Sequence, residues 1–224
     1  MELSETTVII ACSSLKEYVE HAQKLVETDY RVCYLDKSYH RDPSEMRGHI
    51  IELIDRLSSE VRTALVVMGF CGGSWEGVRA PCRLVLPRVD DCVSLLLQTG
   101  DAPKSDLKRQ RNLYVRAKDP SQESFKAIFD RLTADKDEET RRRYHEDWKR
   151  LYDRISIIDT GINDCRRDEY FNLVKADADW LEAETEYVAG GVHLIEKLLR
   201  GEWDEQFTVL EPGERVRRSC VLFE

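Results

Sequence analysis

The stretch Thr6-Thr7-Val8-Ile9-Ile10-Ala11-Cys12-Ser13-Ser14 decides how the rest of the chain is read. Thr6 to Ala11 is short, rich in β-branched residues and without polar alternation, the pattern of a strand buried on both faces of a parallel sheet. The run halts at Cys12-Ser13-Ser14. Ser14, with Glu17 three residues on, reads as a capping box that opens a helix through about Val26. A strand, a tight turn and a helix make the first half of a βαβ unit.

The same grammar repeats outward from that stretch. Arg31 to Leu35 reads as a strand, and Asp42, Pro43 and Glu45 then mark a helix start, with Met46, Ile50, Leu53, Ile54 and Leu57 at helical spacing. Ala64 to Met68 is a strand that runs into Gly69-Phe70-Cys71-Gly72-Gly73-Ser74. Arg83 to Leu86 is another, and Asp90 or Asp91 then caps a helix from Cys92 to Leu97. Gly100 to Arg111 reads as a loop and Asn112 to Arg116 as a strand. Asp119-Pro120-Ser121-Gln122 opens a helical region whose apolar face is Phe125, Phe129 and Leu132. Thr133 to Arg143 is dense in charge and reads as a solvated helix or a helix joint, with Trp148, Leu151 and Tyr152 returning to the core. The last third gives a strand at Ile155 to Ile158, a helix at about Asp168 to Trp180, a strand at Thr185 to Val188, a helix at about His193 to Arg200 and a final strand at Phe207 to Leu210. Strands alternating with helices predict an α/β fold: a mostly parallel sheet with helices on both faces, in one domain over 1–224 or in two Rossmann-like halves, 1–118 and 119–224.

Composition narrows the function classes. The chain has 34 basic and 43 acidic residues, a formal charge of −9, which argues against a general nucleic-acid partner. No apolar run is long enough for a membrane helix, and the first residues lack the basic region of a secretory leader, so a cytoplasmic protein without a membrane partner is expected. Seven cysteines, an odd number with no C-x-x-C pair, make a disulfide scaffold a poor reading and favour metal binding or reactive thiols.

Ligands of open parallel sheets bind beyond the carboxyl ends of the strands. Four segments fall there: Ala11 to Ser14, Gly69 to Gly73, Pro87 to Cys92 and Asp159-Thr160-Gly161. Three carry a cysteine. Cys12, Cys71 and Cys92 are therefore the candidate metal ligands, able to hold zinc with an open position or three irons of an iron–sulfur cluster. Cys12 and Cys92 fall near helix starts, where the dipole is expected to lower a thiol pKa. Ser13, Gly72 and Gly73 are candidate cofactor-binding residues at the same edge. The candidate catalytic residues are His40, able to reach the crevice as ligand or proton carrier, Arg88 for an anionic group, and Asp159 as a base. Each has a plainer reading: a loop histidine, an arginine paired with Asp90 or Asp91, a helix cap. Cys33, Cys82, Cys165 and Cys220 read as small buried apolar residues. The glycine turn fails both G-x-G-x-x-G and the P-loop pattern, and no G-x-S-x-G is present.

Several of these stretches match a known pattern. The opening strand ending in Ala11-Cys12, Tyr39-His40-Arg41-Asp42-Pro43, Gly69-Phe70-Cys71-Gly72, Leu86 to Cys92, Ile158 to Gly161, Gly201 to Asp204 and Pro212-Gly213 all contribute. Together the sequence resembles the prokaryotic proteins grouped as domain-of-unknown-function family 1638. The resemblance carries over Cys12, Cys71 and Cys92, and it implies an association with corrinoid-dependent methyl transfer. The chain departs from the family pattern at Asp90, where histidine is common, at Gly73-Ser74 in the turn after Cys71, and at Asn112 to Arg116. If the family histidine were a ligand, Asp90 would have to supply oxygen instead.

The expectation is an enzyme with a three-cysteine metal or iron–sulfur centre, acting on a small molecule in corrinoid-linked methyl transfer or sulfur chemistry, with a corrinoid protein or methyltransferase as partner. Two alternatives stand beside it. One is a non-catalytic corrinoid- or tetrapyrrole-binding accessory protein that docks through Thr133 to Arg143. The other is a metal-free nucleophile, Cys92 with His40 as base.

Overall fold

The structure is a computed structural model that describes residues 6–105 and 107–222. The first five residues, read above for a leader, lie outside the described residues. The chain forms two compact units, one of residues 1–107 with 191–224 and one of residues 108–190. The boundary therefore falls at 107/108 and again at 190/191, not at 118/119. The last segment rejoins the first unit because the strand at Phe207 completes the first sheet.

In the first unit, β1 (Thr7–Cys12), β2 (Arg31–Leu35), β3 (Thr63–Val67) and β4 (Arg83–Pro87) are parallel neighbours in the order β2-β1-β3-β4. β1 and β3 are buried along their whole length, which accounts for their unbroken apolar runs. α1 (Lys16–Leu25) links β1 to β2, and α2 (Pro43–Asp55) links β2 to β3. The first crossover steps outward from β1 and the second steps back across it. Right-handed crossovers therefore place these helices on opposite faces, and the sheet has its switch point between β1 and β3. α3 (Cys92–Leu97) follows β4.

The second unit carries β5 (Asn112–Val115), α4 (Phe125–Leu132), α5 (Glu138–Leu151), β6 (Arg154–Asp159), α6 (Asp168–Leu181) and β7 (Glu184–Ala189). Its three strands are parallel in the order β5-β6-β7. Ile155, Ile157, Tyr170, Val174 and Leu181 centre its core. α5 buries no residue, and its charges fall largely into local ion pairs such as Arg142 with Glu138 and Lys149 with Glu146.

The chain then returns to the first unit as α7 (His193–Arg200), β8 (Phe207–Leu210) and α8 (Arg218–Val221). β8 pairs antiparallel with β4, giving one reversed strand in an otherwise parallel sheet. α7 packs on α1, β3 and β4. Among the described residues no helix is long and apolar enough to cross a membrane.

Local starts largely follow the sequence. Asp42 accepts hydrogen bonds from the N–H groups of Ser44 and Glu45, with Pro43 at the first position of α2. Asp91, rather than Asp90, accepts from Val93 and Ser94 to cap α3. The capping box expected at Ser14 does not form. A 3-10 turn, Ser13–Leu15, intervenes, and α1 starts after Leu15 with no side-chain cap.

Candidate metal centre

Each of the four parallel strands of the first unit sends one candidate ligand beyond its carboxyl end. Cys12 is the last residue of β1. His40 lies in the 3-10 turn Lys37–Arg41 after β2, Cys71 in the glycine turn after β3, and Cys92 is the first residue of α3 after β4. The Cys12 sulfur lies 3.2 Å from His40 Nε2. The Cys71 and Cys92 sulfurs are 3.9 Å apart. The donor atoms of Cys12, His40 and Cys92 all fall within 4.8 Å of one another. The three sulfurs are buried, whereas His40 is exposed and forms the mouth of the group. A tetrahedral ion with bonds of about 2.3 Å to sulfur and about 2.05 Å to nitrogen needs sulfurs ~3.8 Å apart and sulfur–nitrogen pairs ~3.5 Å apart. The observed spacings bracket those values.

The surrounding loops explain how distant residues converge. A Cβ on Gly69 would lie 2.4–2.5 Å from the Asp91 backbone. Only glycine allows that approach, and it is what brings the β3 turn onto the β4 turn. Backbone hydrogen bonds then join them, Phe70 N–H to Val89 O at 3.0 Å and Cys71 N–H to Asp90 O at 2.7 Å. On the other side, Arg47 of α2 donates to Gly73 O at 2.8 Å, and a Cβ on Gly72 would meet Pro43 at 2.9 Å. Cys71, Gly72 and Gly73 all have positive φ, at 47°, 67° and 94°. The two glycines adopt this freely, and Cys71 does so at some cost. The Ser14 hydroxyl lies 3.0 Å from the Cys12 sulfur.

The thiols are not activated as their positions near helix starts suggested. The Cys12 thiol is pushed up to about 12, first by its contact with Cys92 and then by burial. For Cys92 the contact with Cys12 favours the thiolate, but the Cys71 sulfur and burial outweigh it and raise the value. Packing sulfurs together in a dry site costs more than the dipole returns. α3 is only six residues long, and its end already faces the Asp91 carboxylate. Such a group of thiols loses its protons readily only to a cation.

The remaining candidates are dispersed. Ser13 accepts a hydrogen bond from Lys37 N–H and so fastens the β1 turn to the β2 turn. Arg88 donates to Glu205 O and lines a cavity of about 120 Å³ with Asp90, Ser94 and Lys104. Asp90 is exposed, and its carboxylate is not among the grouped donor atoms. Asp159 ends β6 in the second unit, where it caps Gly161 N–H and pairs with Arg166 at 2.7 Å. Although burial opposes ionisation there, Arg166 holds its carboxyl below the usual range. Cys82 and Cys165 are buried, and burial raises both thiols. Cys33 and Cys220 are half-buried. The sequence missed Gly69, whose role depends on a backbone 22 residues away. It also understated His40, which joins the donor group itself.

The chain matches the family described as protein of unknown function (DUF1638) over residues 34–199, well over half its length. It belongs to that family. The match takes in His40, Cys71 and Cys92, while Cys12 precedes it. No curated protein and no solved structure matches the chain.

Proposed function

We propose that this member of DUF1638 holds one thiophilic divalent cation, zinc by preference, through Cys12, His40 and Cys92 with Cys71 beside them, and uses it as a Lewis acid on a small molecule. The observation that carries the reading is the convergence of Cys12, His40 and Cys92, issuing from β1, β2 and β4, to the spacing of a shared ion, with the Cys71 sulfur 3.9 Å from that of Cys92. An iron–sulfur cluster in which three irons each take one cysteine, the other expectation, sets the sulfurs further apart than ligands of one ion. The 3.9 Å between Cys71 and Cys92 favours the single ion. The metal-free nucleophile has less support, because the histidine sits on Cys12 rather than on Cys92, and both thiols are shifted away from ionisation. A bound cation supplies positive charge that acidifies a coordinated thiol or water. This donor set supports sulfur chemistry. Corrinoid-linked methyl transfer is the narrower form of the same reading, tested by mixing the protein with a methylated corrinoid and following thiol consumption.

The deciding experiment is metal analysis of anaerobically prepared protein, before and after reconstitution with Zn²⁺. About one zinc per chain, lost in Cys92→Ala, is expected. A chain that takes up no metal, or that keeps its full complement without Cys92, overturns the proposal. A brown protein carrying several irons would transfer the reading to the cluster.

A further inference from the structure

We propose that Cys71 is the exchangeable fourth ligand of this centre and that the substrate is a small thiol whose sulfur takes its place, an inference that rests on the metal-centre reading above. Three observations lead there. First, the group of donors that all lie within 4.8 Å of one another contains Cys12, His40 and Cys92 but not Cys71, whose sulfur is at ligand spacing from Cys92 alone, 3.9 Å away. Cys71 is thus placed to join three fixed ligands or to leave them by rotation of its side chain. Second, its backbone is held at a φ of 47°, ahead of the two left-handed glycines Gly72 and Gly73, a conformation that is costly for a non-glycine residue. The hydrogen bonds of Cys71 N–H to Asp90 O and of Arg47 to Gly73 O keep it there. Surroundings that hold a strained cysteine beside a three-donor group fix where its sulfur can go. Third, Gly72 and His40 are both exposed, so the side of the centre that Cys71 guards borders solvent, whereas Cys12 and Cys92 are enclosed.

The chemistry of the position selects the ligand. A place shaped for a thiolate on a soft cation is filled better by sulfur than by water or a carboxylate. The exchange conserves atoms and charge without any redox step. The bond from the metal to the Cys71 sulfur breaks, and a metal–sulfur bond forms to the incoming thiol. The proton released from that thiol passes to the Cys71 thiolate, which departs as a neutral thiol. The substrate is left as a metal-bound thiolate.

Cobalt(II) reports each coordinated thiolate through its sulfur-to-metal charge-transfer absorption, so the test is made on the full-length protein loaded with Co²⁺. 2-Mercaptoethanol serves as the probe thiol, and circular dichroism checks folding. Wild type is expected to show three thiolates, and Cys71→Ala to lose about a third of the absorption, one sulfur of three. Titration with 2-mercaptoethanol then restores that loss saturably in Cys71→Ala. In wild type it changes the band shape at constant total intensity. Cys33→Ala, in β2 away from the group, matches wild type throughout. If Cys71→Ala does not fold, Cys71→Ser carries the same comparison. A Cys71 variant with the wild-type spectrum overturns the proposal, as does one that has lost the intensity and takes up no thiol. Wild-type protein that binds no cobalt fails earlier, at the metal centre itself, and that result is distinguishable because no variant is needed to see it.

Discussion

Replacing Gly69 with alanine tests whether the two cysteine turns are pressed together by backbone contact. The added Cβ would sit 2.4 Å from the Asp91 Cα and 2.5 Å from its N and C atoms, against 3.4–4 Å for an ordinary contact, so the two segments must part by about 1 Å. Overpacking of this kind costs about 1–3 kcal/mol. The bonds of Phe70 to Val89 and of Cys71 to Asp90 cross the same seam, and weakening them adds about 1 kcal/mol each at most. The total is ~1–5 kcal/mol, a fall in Tm of roughly 2–20 °C for a protein of this size. The same separation moves Cys71 away from the Cys92 sulfur, so zinc affinity falls alongside stability. Thermal unfolding of the metal-free protein and competition for zinc against a chromophoric chelator measure the two effects independently. An alanine variant with unchanged Tm and unchanged zinc affinity would show that the close approach does not hold the site. The reasoning from Gly69 to Cys92 would then be wrong.

Gly48, inside α2 with open space where a Cβ would go, gives the opposite outcome: Gly48→Ala should stabilise by up to ~1 kcal/mol in urea unfolding, because helix propensity rises with no clash. Ser14→Ala removes a hydroxyl that touches the Cys12 sulfur and should weaken zinc binding by about 10–100-fold while leaving the metal-free Tm near wild type, read by the same chelator competition. Lys197 is buried and pairs with Asp101, Asp204 and Gln206. Burial opposes ionisation of Asp204, but Lys197 holds its carboxyl below the usual range, and the contact with His193, then Lys197, does the same for Asp101. A depressed carboxylate contributes stability above its unfolded pKa, and that contribution is lost as pH falls through the folded value. The unfolding free energy should therefore drop below about pH 4 in wild type, and less steeply in Lys197→Met. Equal acid slopes in the two proteins would remove Asp204 from the account.

Much of this architecture was legible because its signals are local. Asp42 with Pro43 and Asp91 before Cys92 cap helices with their own neighbours, so the sequence shows both starts. Thr7 to Cys12 and Thr63 to Val67 announce buried strands by lacking polar alternation. Ser14 misled, since its capping motif is intact in sequence while the chain spends those residues on a 3-10 turn ahead of Lys16. The thiol pKa values were also misread. A helix start can be seen in sequence, but the neighbouring sulfurs that reverse its effect come from other strands. Nothing local in β8 reveals that Leu84 pairs with Leu210, 126 positions later and in the reverse direction. For the same reason the return of the chain to its first unit was invisible.

The fold alone does not make the centre. Neighbouring strands stand about 4.8 Å apart, so the ends of β2 and β4, three spacings from each other in the sheet, are separated by roughly 14 Å. Yet His40, issuing from the first, and Cys92, from the second, bring donor atoms to within 4.8 Å across the Cys12 sulfur between them. Closing that distance takes a left-handed cysteine, a glycine pressed on a backbone and a histidine turned in from an exposed turn. Cysteines serving as core filler need none of these. A small apolar residue in a sheet packs against whatever lies above it, and it gains nothing from a polar ring at its sulfur or from other thiols that raise its own pKa. The raised pKa values keep these thiols protonated, so the group ionises only when something supplies positive charge. In the proposed reading a bound cation supplies that charge, and the switch point between β1 and β3 is where a parallel sheet of this order leaves room for a ligand.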